Sequence, residues 1–244
     1  MDPQKELKIN LGTNIFGIDG WVNIDGDARL LVGSNKVLKA MVKALIKAHI
    51  LNVPIDVILT PPPNFRHINL LKCRLPFKSG SVSYCYTSHF IEHIPRPKAA
   101  MLMKEVHRVL KPNGMIRLVV PDLELVAKNY YDAINGDKAA IGWWKEKWPE
   151  FDGPTQKFNA FFFKFAKEDV KYLGFKSPFT RLLKRVFVPD MGHQWMYDFY
   201  DLKSMLSEAG FKGITRARFK VGKVPDAARL DNREDESIYV EARK

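Results

Sequence analysis

Cysteine is scarce in this 244-residue chain: it occurs twice, at Cys73 and Cys85. Two cysteines without metal-ligand spacing exclude a disulfide framework and read as reduced thiols in a cytoplasm-like compartment. Long apolar runs are missing too. No stretch of about 18 apolar residues exists to span a bilayer, and Met1 to Asn10 has no signal-peptide apolar core. There is no internal repeat and no low-complexity tract. Negative charge is in deficit, with 27 Asp and Glu against 39 Lys and Arg and a net charge of +12. Such a balance favours an anionic partner: nucleic acid, a phosphorylated or nucleotide-linked substrate, or a membrane surface. It does not choose among them. What remains is ordinary for a globular protein, 46% apolar and 27% charged. One domain is expected over residues 1–244, large enough to bury a full core without staples.

The most informative stretch runs from Ser81 to Glu124. Val82 to Thr87 is a short β-rich run, followed by a polar loop from Ser88 to Ile94. From Lys98 to Leu110, Ala99, Leu102, Met103, Val106, Val109 and Leu110 fall on one helical face. Pro112, Asn113 and Gly114 stop that helix, and Met115 to Val120 is an almost wholly apolar strand of the kind buried on both faces. A strand–helix–strand crossover implies parallel pairing, with ligands outside the carboxyl ends of the strands. Those ends are Ser88/His89 and Pro121/Asp122.

The loop contains His89-Phe90-Ile91-Glu92-His93, which matches the inverted zinc-peptidase pattern H-x-x-E-H. That chemistry needs a continuous helix to place both histidines on one face. A β-run precedes the motif and Pro95 and Pro97 follow it, so zinc proteolysis is not expected and no metal ligands are assigned.

Elsewhere, Leu7 to Leu11 and Val22 to Asp25 read as strands joined by too few residues for a long crossover helix. Asn35 to Ile50 is a basic amphipathic helix, Ile55 to Leu59 a further strand ended by Pro61-Pro62-Pro63, and Arg66 to Leu70 an approach to the site. Leu123 to Ile134 should be a helix. Residues 137–192 are aromatic and basic (WWKEKW, FNAFFFKF, RLLKRVF) and read as an inserted cap. Trp143, Trp144 and Trp148 can stack on rings, with Lys164, Lys167, Lys171, Lys184 and Arg185 on phosphates, but core plus solvated helix faces gives the same composition and is preferred. Leu202 to Ala209, Ile214 to Phe219 and Ser237 to Ala242 supply a helix and two closing strands.

TSHFIEHI and EVHRVLKPNGMIRLVVPDLE resemble the middle of class I S-adenosylmethionine-dependent methyltransferases. More narrowly, they resemble the small methyltransferases associated with surface-polysaccharide synthesis. INLGTNIFGIDGWVNID, NLLKCRLPF, GHQWMYDFYDLKSMLSEAGF and LDNREDESIYVEARK fit in the same order. The resemblance implies a Rossmann-like α/β fold: a mostly parallel seven-stranded sheet with an antiparallel closing strand and a helical cap. It implies S-adenosylmethionine as cofactor, released as S-adenosylhomocysteine.

In that setting Asn10, Gly12, Thr13 and Asn14 follow the first strand, Gly12 permitting close backbone approach. The family usually has Gly-Cys-Gly here, but Asn14 tolerates left-handed backbone. Asp25, with Gly26 after the second strand, is expected to accept both ribose hydroxyls. Asn69, beside Leu70, stands where the family commonly has a carboxylate for the adenine amino group. Ser88 and His89 lie beside the cofactor, with Glu92 and His93 packing the loop. On the acceptor side the candidates are Asp122 and His193. His193 is the one histidine of the acceptor-side blocks and suits a base near neutral pH, with Asp122 orienting it or holding the acceptor.

The expected reaction is O-methylation of a sugar hydroxyl in a glycan or nucleotide-sugar precursor. Nucleic-acid methylation is the alternative enzyme reading, supported by the charge and opposed by the lack of an RNA-binding module and of an Asn-Pro-Pro-Tyr-like motif. A non-catalytic binding protein that kept the fold is the alternative from another class.

Overall fold

The computed structural model describes residues 6–51, 55–147, 149, 152–163 and 192–244. Seven strands form one sheet in the order β3-β2-β1-β4-β5-β7-β6. β1 (Lys8–Leu11), β2 (Val22–Asp25), β3 (Phe65–His67), β4 (Val82–Ser88) and β5 (Leu110–Pro121) pair in parallel. β7 (Ser237–Arg243) runs antiparallel between β5 and β6 (Lys212–Ala217). The mostly parallel, Rossmann-like sheet with an antiparallel closing strand is the arrangement the resemblance implies.

The parallel ladder places the ends of β1, β2, β4 and β5 along one edge, with Leu11 opposite Ile24 and Thr87, and Ser88 opposite Val119. The crossover helix α3 (Arg96–Val109) buries Ala99, Leu102, Met103, Val106 and Val109, the stripe read from the sequence. These pack with Ile9, Leu11, Cys85, Ile116 and Leu118 of the strands into the main core. α4 (Leu123–Ile134), to be counted after α1 and α2 below, covers the bounds expected of it.

Three local readings need correction. Ile55–Val57 is a 3₁₀ turn and not a strand. A short apolar run is ambiguous by periodicity alone, and the edge beside β2 is taken by β3, with His67 opposite Asp25. Second, Pro112-Asn113-Gly114 lies inside β5 instead of preceding it. Leu110 sits opposite Val82 and the ladder resumes at Met115 opposite Tyr84, so the extra residues bulge, with Asn113 at φ 62°. The carboxyl terminus holds the bulge closed, since the Lys244 amide donates to Gly114 O at 2.9 Å. Third, the segment before the basic helix folds as a helix of its own, α1 (Ala28–Ser34), whose first turn is capped by Asp27 accepting from the Arg29 amide. Asn35 then caps the basic helix, α2 (Lys36–Lys47), by accepting from the Val37 and Leu38 amides.

In the aromatic insertion, α5 (Lys138–Lys147) and α6 (Pro154–Phe163) pack on α4. Trp144 is buried with Val126, Ala133, Ala140 and Phe161, and the Trp143 indole donates to Asp235 O at 3.1 Å. Trp148, the basic residues named from Lys164 to Arg185 and the RLLKRVF segment lie outside the described residues. α7 (Phe199–Glu208) returns the chain to the sheet and buries Leu202, Met205 and Leu206 against the main core. Among the described residues no helix is long and apolar enough to cross a membrane.

The other side of β5 carries a buried charge. Arg117 has no exposed side-chain surface and meets Asp231 (Nη2 to Oδ2, 2.5 Å) and Glu241 (Nη1 to Oε1, 3.0 Å). Its Nη2 also donates to Arg218 O and its Nη1 to Val221 O, at 2.7 and 3.3 Å. Removing one member of such a cluster leaves buried charge uncompensated, at about 3–5 kcal/mol. Arg117→Met should therefore lower stability by about 3–5 kcal/mol. Thermal and urea unfolding of native and variant protein check this. Unchanged unfolding midpoints would show that the cluster does not hold the fold.

Candidate active site

The carboxyl ends of β1 and β4 open onto a cavity. Its walls are Asn10, Gly12, Thr13, Asn14 and Phe16 on one side, and Tyr86, Ser88, His89 and His93 on another. His193, Leu230, Asn232 and Arg233 complete it. The position follows from the parallel topology, which gathers strand ends along one edge.

The loop after β1 turns because Gly12 and Asn14 both take positive φ, 68° and 45°. A β-carbon at Gly12 would stand 2.2 Å from Phe90 Cγ, so glycine is required by that ring as well as by the turn. Gly12 N and Thr13 N donate to Ile24 O at 2.8 and 3.3 Å, which ties the loop to β2. Asp25 completes the tie: Oδ2 accepts from the Asn14 amide and Oδ1 from the Asp27 amide, each at 2.8 Å. A carboxylate oxygen has a second lone pair, so both oxygens keep capacity for hydroxyl donors. Burial raises the Asp25 carboxyl above the usual range, opposed by those two amides.

Beside Asp25, the Ile68 amide donates to Asp25 O at 2.9 Å, and a β-carbon on Gly26 would lie 3.3 Å from Asn69 Cα. Asn69 is exposed and caps the turn Leu70–Lys72, its Oδ1 accepting from the Leu71 amide at 3.0 Å. Leu70 is buried under that turn. The fold thus brings together two groups. Asn10, Gly12, Thr13, Asn14, Ser88 and His89 line the cavity, while Asp25, Gly26, Asn69 and Leu70 gather at the neighbouring end of β2. This set fits S-adenosylmethionine: close backbone at one end, a carboxylate for a diol, and a polar turn for an adenine edge.

On the other wall, His89 takes a left-handed φ of 48° and Ile91–His93 is a single 3₁₀ turn. The H-x-x-E-H motif therefore has no continuous helix. His89 Nε2 pairs with Ser237 Oγ at 2.7 Å, and burial pushes its imidazole down to about 3, with Arg233 adding to the effect. Glu92 is completely buried, which pushes its carboxyl up to about 8. His93 Nδ1 lies 3.3 Å from Gly192 O. The next residue, His193, lies 4.9 Å from the His93 ring, centre to centre, with the Phe161 ring edge-on at 5.5 Å.

Asp122 is not on the cavity wall. It caps α4, with Oδ1 accepting from the Glu124 and Leu125 amides at 3.0 and 3.4 Å, and burial raises its carboxyl. Its backbone runs beside Tyr197, and Leu123 N donates to Tyr197 O at 3.0 Å, so the two acceptor-side segments are joined.

Phe16, Tyr86, Leu230, Asn232 and Arg233 were not anticipated in the wall. Tyr86 belongs to a predicted strand, and its place is explained by the partners of its hydroxyl, Leu230 O at 3.1 Å and Asp231 Oδ1 at 3.2 Å. Asn232 and Arg233 belong to the LDNRED block, where the signal was the block itself and not any one side chain.

A family model described as a methyltransferase domain matches residues 5–118. That match covers somewhat less than half of the chain and makes its first half similar to methyltransferase domains. No curated protein matches the sequence. Among solved structures the chain is similar to an S-adenosylmethionine-dependent methyltransferase from Archaeoglobus fulgidus, at 10% identity and TM-score 0.45, covering 99% of this chain and 87% of that one. Methyltransferases from Methanosarcina mazei and Mesorhizobium loti are each 15% identical with TM-score 0.44, covering 99% of this chain and 93% of theirs.

Losing a buried charged acceptor costs about 1.5–3 kcal/mol, or roughly 10- to 150-fold in affinity. Asp25→Ala is expected to weaken S-adenosylhomocysteine binding by about that factor, measured by calorimetry. Only the ionised carboxyl accepts from both hydroxyls, so native affinity should be full at neutral pH and fall as pH is lowered, the loss beginning at a higher pH than for an ordinary aspartate because the Asp25 carboxyl is raised. Native-like binding by a folded Asp25→Ala protein would remove Asp25 from the cofactor site.

Proposed function

We propose that the enzyme O-methylates a sugar hydroxyl of a glycan or of a nucleotide-linked sugar precursor, in a reducing, cytoplasm-like compartment. The observation that carries this reading is the position of His193. It lines the same cavity as the Gly12 loop, although it is about a hundred residues from the other lining histidines in sequence. A hydroxyl acceptor must lose its proton during transfer, and an imidazole at that wall meets the need. Arg233, on the same wall, suits an anionic substrate such as a sugar carrying phosphate.

S-adenosylmethionine supplies the activated methyl group when bound. The protein's own residues position and deprotonate. Asp25 and the Asn69–Leu70 turn hold the nucleoside, the Gly12–Asn14 loop with Ser88 and His89 holds the amino-acid end, and His193 handles the acceptor proton. Asp122 uses only Oδ1 in its helix cap. Its remaining oxygen is proposed to orient the acceptor.

If His193 handles the proton, His193→Ala should lower turnover about 10²–10⁴-fold with cofactor affinity nearly unchanged. Near-native single-turnover rates in a folded variant would move that role elsewhere. The acceptor class is tested separately, by transfer of labelled methyl to a panel of oligosaccharides and nucleotide sugars and to total RNA. Label in the carbohydrate panel is expected. Nonspecific RNA binding through positive charge should collapse between low and physiological salt. Label appearing in RNA alone would overturn the carbohydrate reading.

A further inference from the structure

We propose that Glu92, His93 and His193 bind a divalent transition-metal ion at the acceptor end of the cavity. The ligand atoms of these three side chains all lie within 4.8 Å of one another. The sequence held two of them in one motif, and the fold supplies the third.

Glu92 is the group that asks for a cation. Its side chain is 0% exposed, and among the described residues neither carboxylate oxygen has a hydrogen-bond partner. A buried polar group without a partner is an exception that needs a cause, and buried carboxylates are ordinarily paired or coordinate metals. Two imidazole nitrogens stand beside Glu92 Oε1: His89 Nδ1 at 3.5 Å and His93 Nε2 at 3.8 Å.

The orientation of His93 makes the case more specific. Its Nδ1 faces Gly192 O at 3.3 Å. A carbonyl only accepts, so Nδ1 carries the hydrogen, and in the neutral ring Nε2 presents a lone pair towards Glu92. A ring nitrogen held by a backbone carbonyl, with the opposite nitrogen turned to a carboxylate, is the arrangement of a metal-ligating histidine. The site is also rigid. Gln194 N and Trp195 N both donate to Glu92 O, at 2.7 and 3.2 Å, so the segment carrying His193 is fastened to the turn carrying Glu92 and His93.

Two imidazoles and one carboxylate select a first-row transition ion, zinc among them, over magnesium or calcium. Both histidines line the cavity, so the remaining coordination positions face an incoming acceptor. An ion there lowers the pKa of a hydroxyl bound to it. The acceptor then gives its proton to water, its oxygen forms the new bond to the methyl carbon, and the C–S electron pair stays on sulfur. A His193 bound to the ion has no free lone pair for a proton, so it promotes deprotonation as a ligand in place of acting as the base itself. That last role rests on the proposal that the acceptor is a hydroxyl; the metal site does not.

The test uses full-length protein freed of metal by chelation, without cofactor, titrated with Co²⁺ and followed by visible absorption. Saturable d–d bands at a stoichiometric end point are expected. Glu92→Gln, which keeps the side chain's size, and His193→Ala should each weaken Co²⁺ binding by at least about 100-fold, beyond what losing a second-shell partner usually costs. Near-ultraviolet circular dichroism confirms that each protein is folded, and if Glu92→Gln does not fold, His193→Ala decides. No saturable bands from the folded native protein, or variants that bind Co²⁺ within about threefold of native, would overturn the site. Co²⁺ binding with no methyl transfer to any sugar would sustain the metal site while removing the carbohydrate acceptor.

Discussion

The wall of the cavity depends on one guanidinium. Arg117 lies on the central strand β5, completely buried, and uses its Nε and both terminal nitrogens. Asp231 and Glu241 are held on either side, and the carbonyls of Arg218 and Val221 close the ring of acceptors. The carboxylates are satisfied in turn: Asp231 accepts from the Lys220 amide, and Glu241 from the Lys223 and Val224 amides. A buried ion cluster is favourable only when its remaining donors and acceptors are met this way. The consequence reaches the site. Asp231 also accepts from the Tyr86 hydroxyl, and the residues on either side of it, Leu230 and Asn232, face the cavity.

Glu92 shows the opposite condition. Both clusters contain fully buried carboxylates on the same sheet framework, yet Asp231 and Glu241 are surrounded by donors and Glu92 by none at bonding distance. The difference is chemical, because a structural ion cluster closes on itself and a ligand-binding one is left open. Histidines are the neighbours of Glu92, and all three, His89, His93 and His193, line the cavity.

Much of the fold was legible because periodicity and punctuation agree. The stripe Ala99–Leu102–Met103–Val106–Val109 is a helix whose buried residues match its spacing, and β2 and α4 have the bounds that their patterns imply. The failures are equally physical. Ile55–Val57 is a short apolar run whose edge of the sheet was taken by β3, a competition that no local pattern reveals. Pro112-Asn113-Gly114 has the composition of a stop and forms a bulge, because the carboxyl-terminal residue bonds across it. At the site, residues next to strand ends were readable since topology fixes where those ends meet. Arg233 and Tyr86 were not, because their places are set by the loop that Arg117 pins, through contacts over a hundred residues away in sequence.

The segment Ser88–His93 explains why so much polarity is packed into so few residues. It leaves β4 at the sheet edge and passes between the two halves of the cavity, so each residue faces a different duty. Ser88 and His89 continue the strand's last turns onto the cofactor wall, with the His89 amide still bonded to Val119 O at 2.9 Å. Phe90 fills the space that the missing β-carbon of Gly12 leaves, which locks the two cofactor loops together. Ile91 is buried in the main core and anchors the turn. Glu92 and His93 then point towards the segment 192–195, which is bonded to the same turn through Glu92 O. A left-handed residue at His89 and a 3₁₀ turn at Ile91–His93 are needed to reverse direction within this length. The pattern that resembles a zinc-peptidase helix is in fact a tight corner, held by the His89 amide on Val119 O, by His89 on Ser237, by Ile91 in the main core and by the Gln194 and Trp195 amides on Glu92 O.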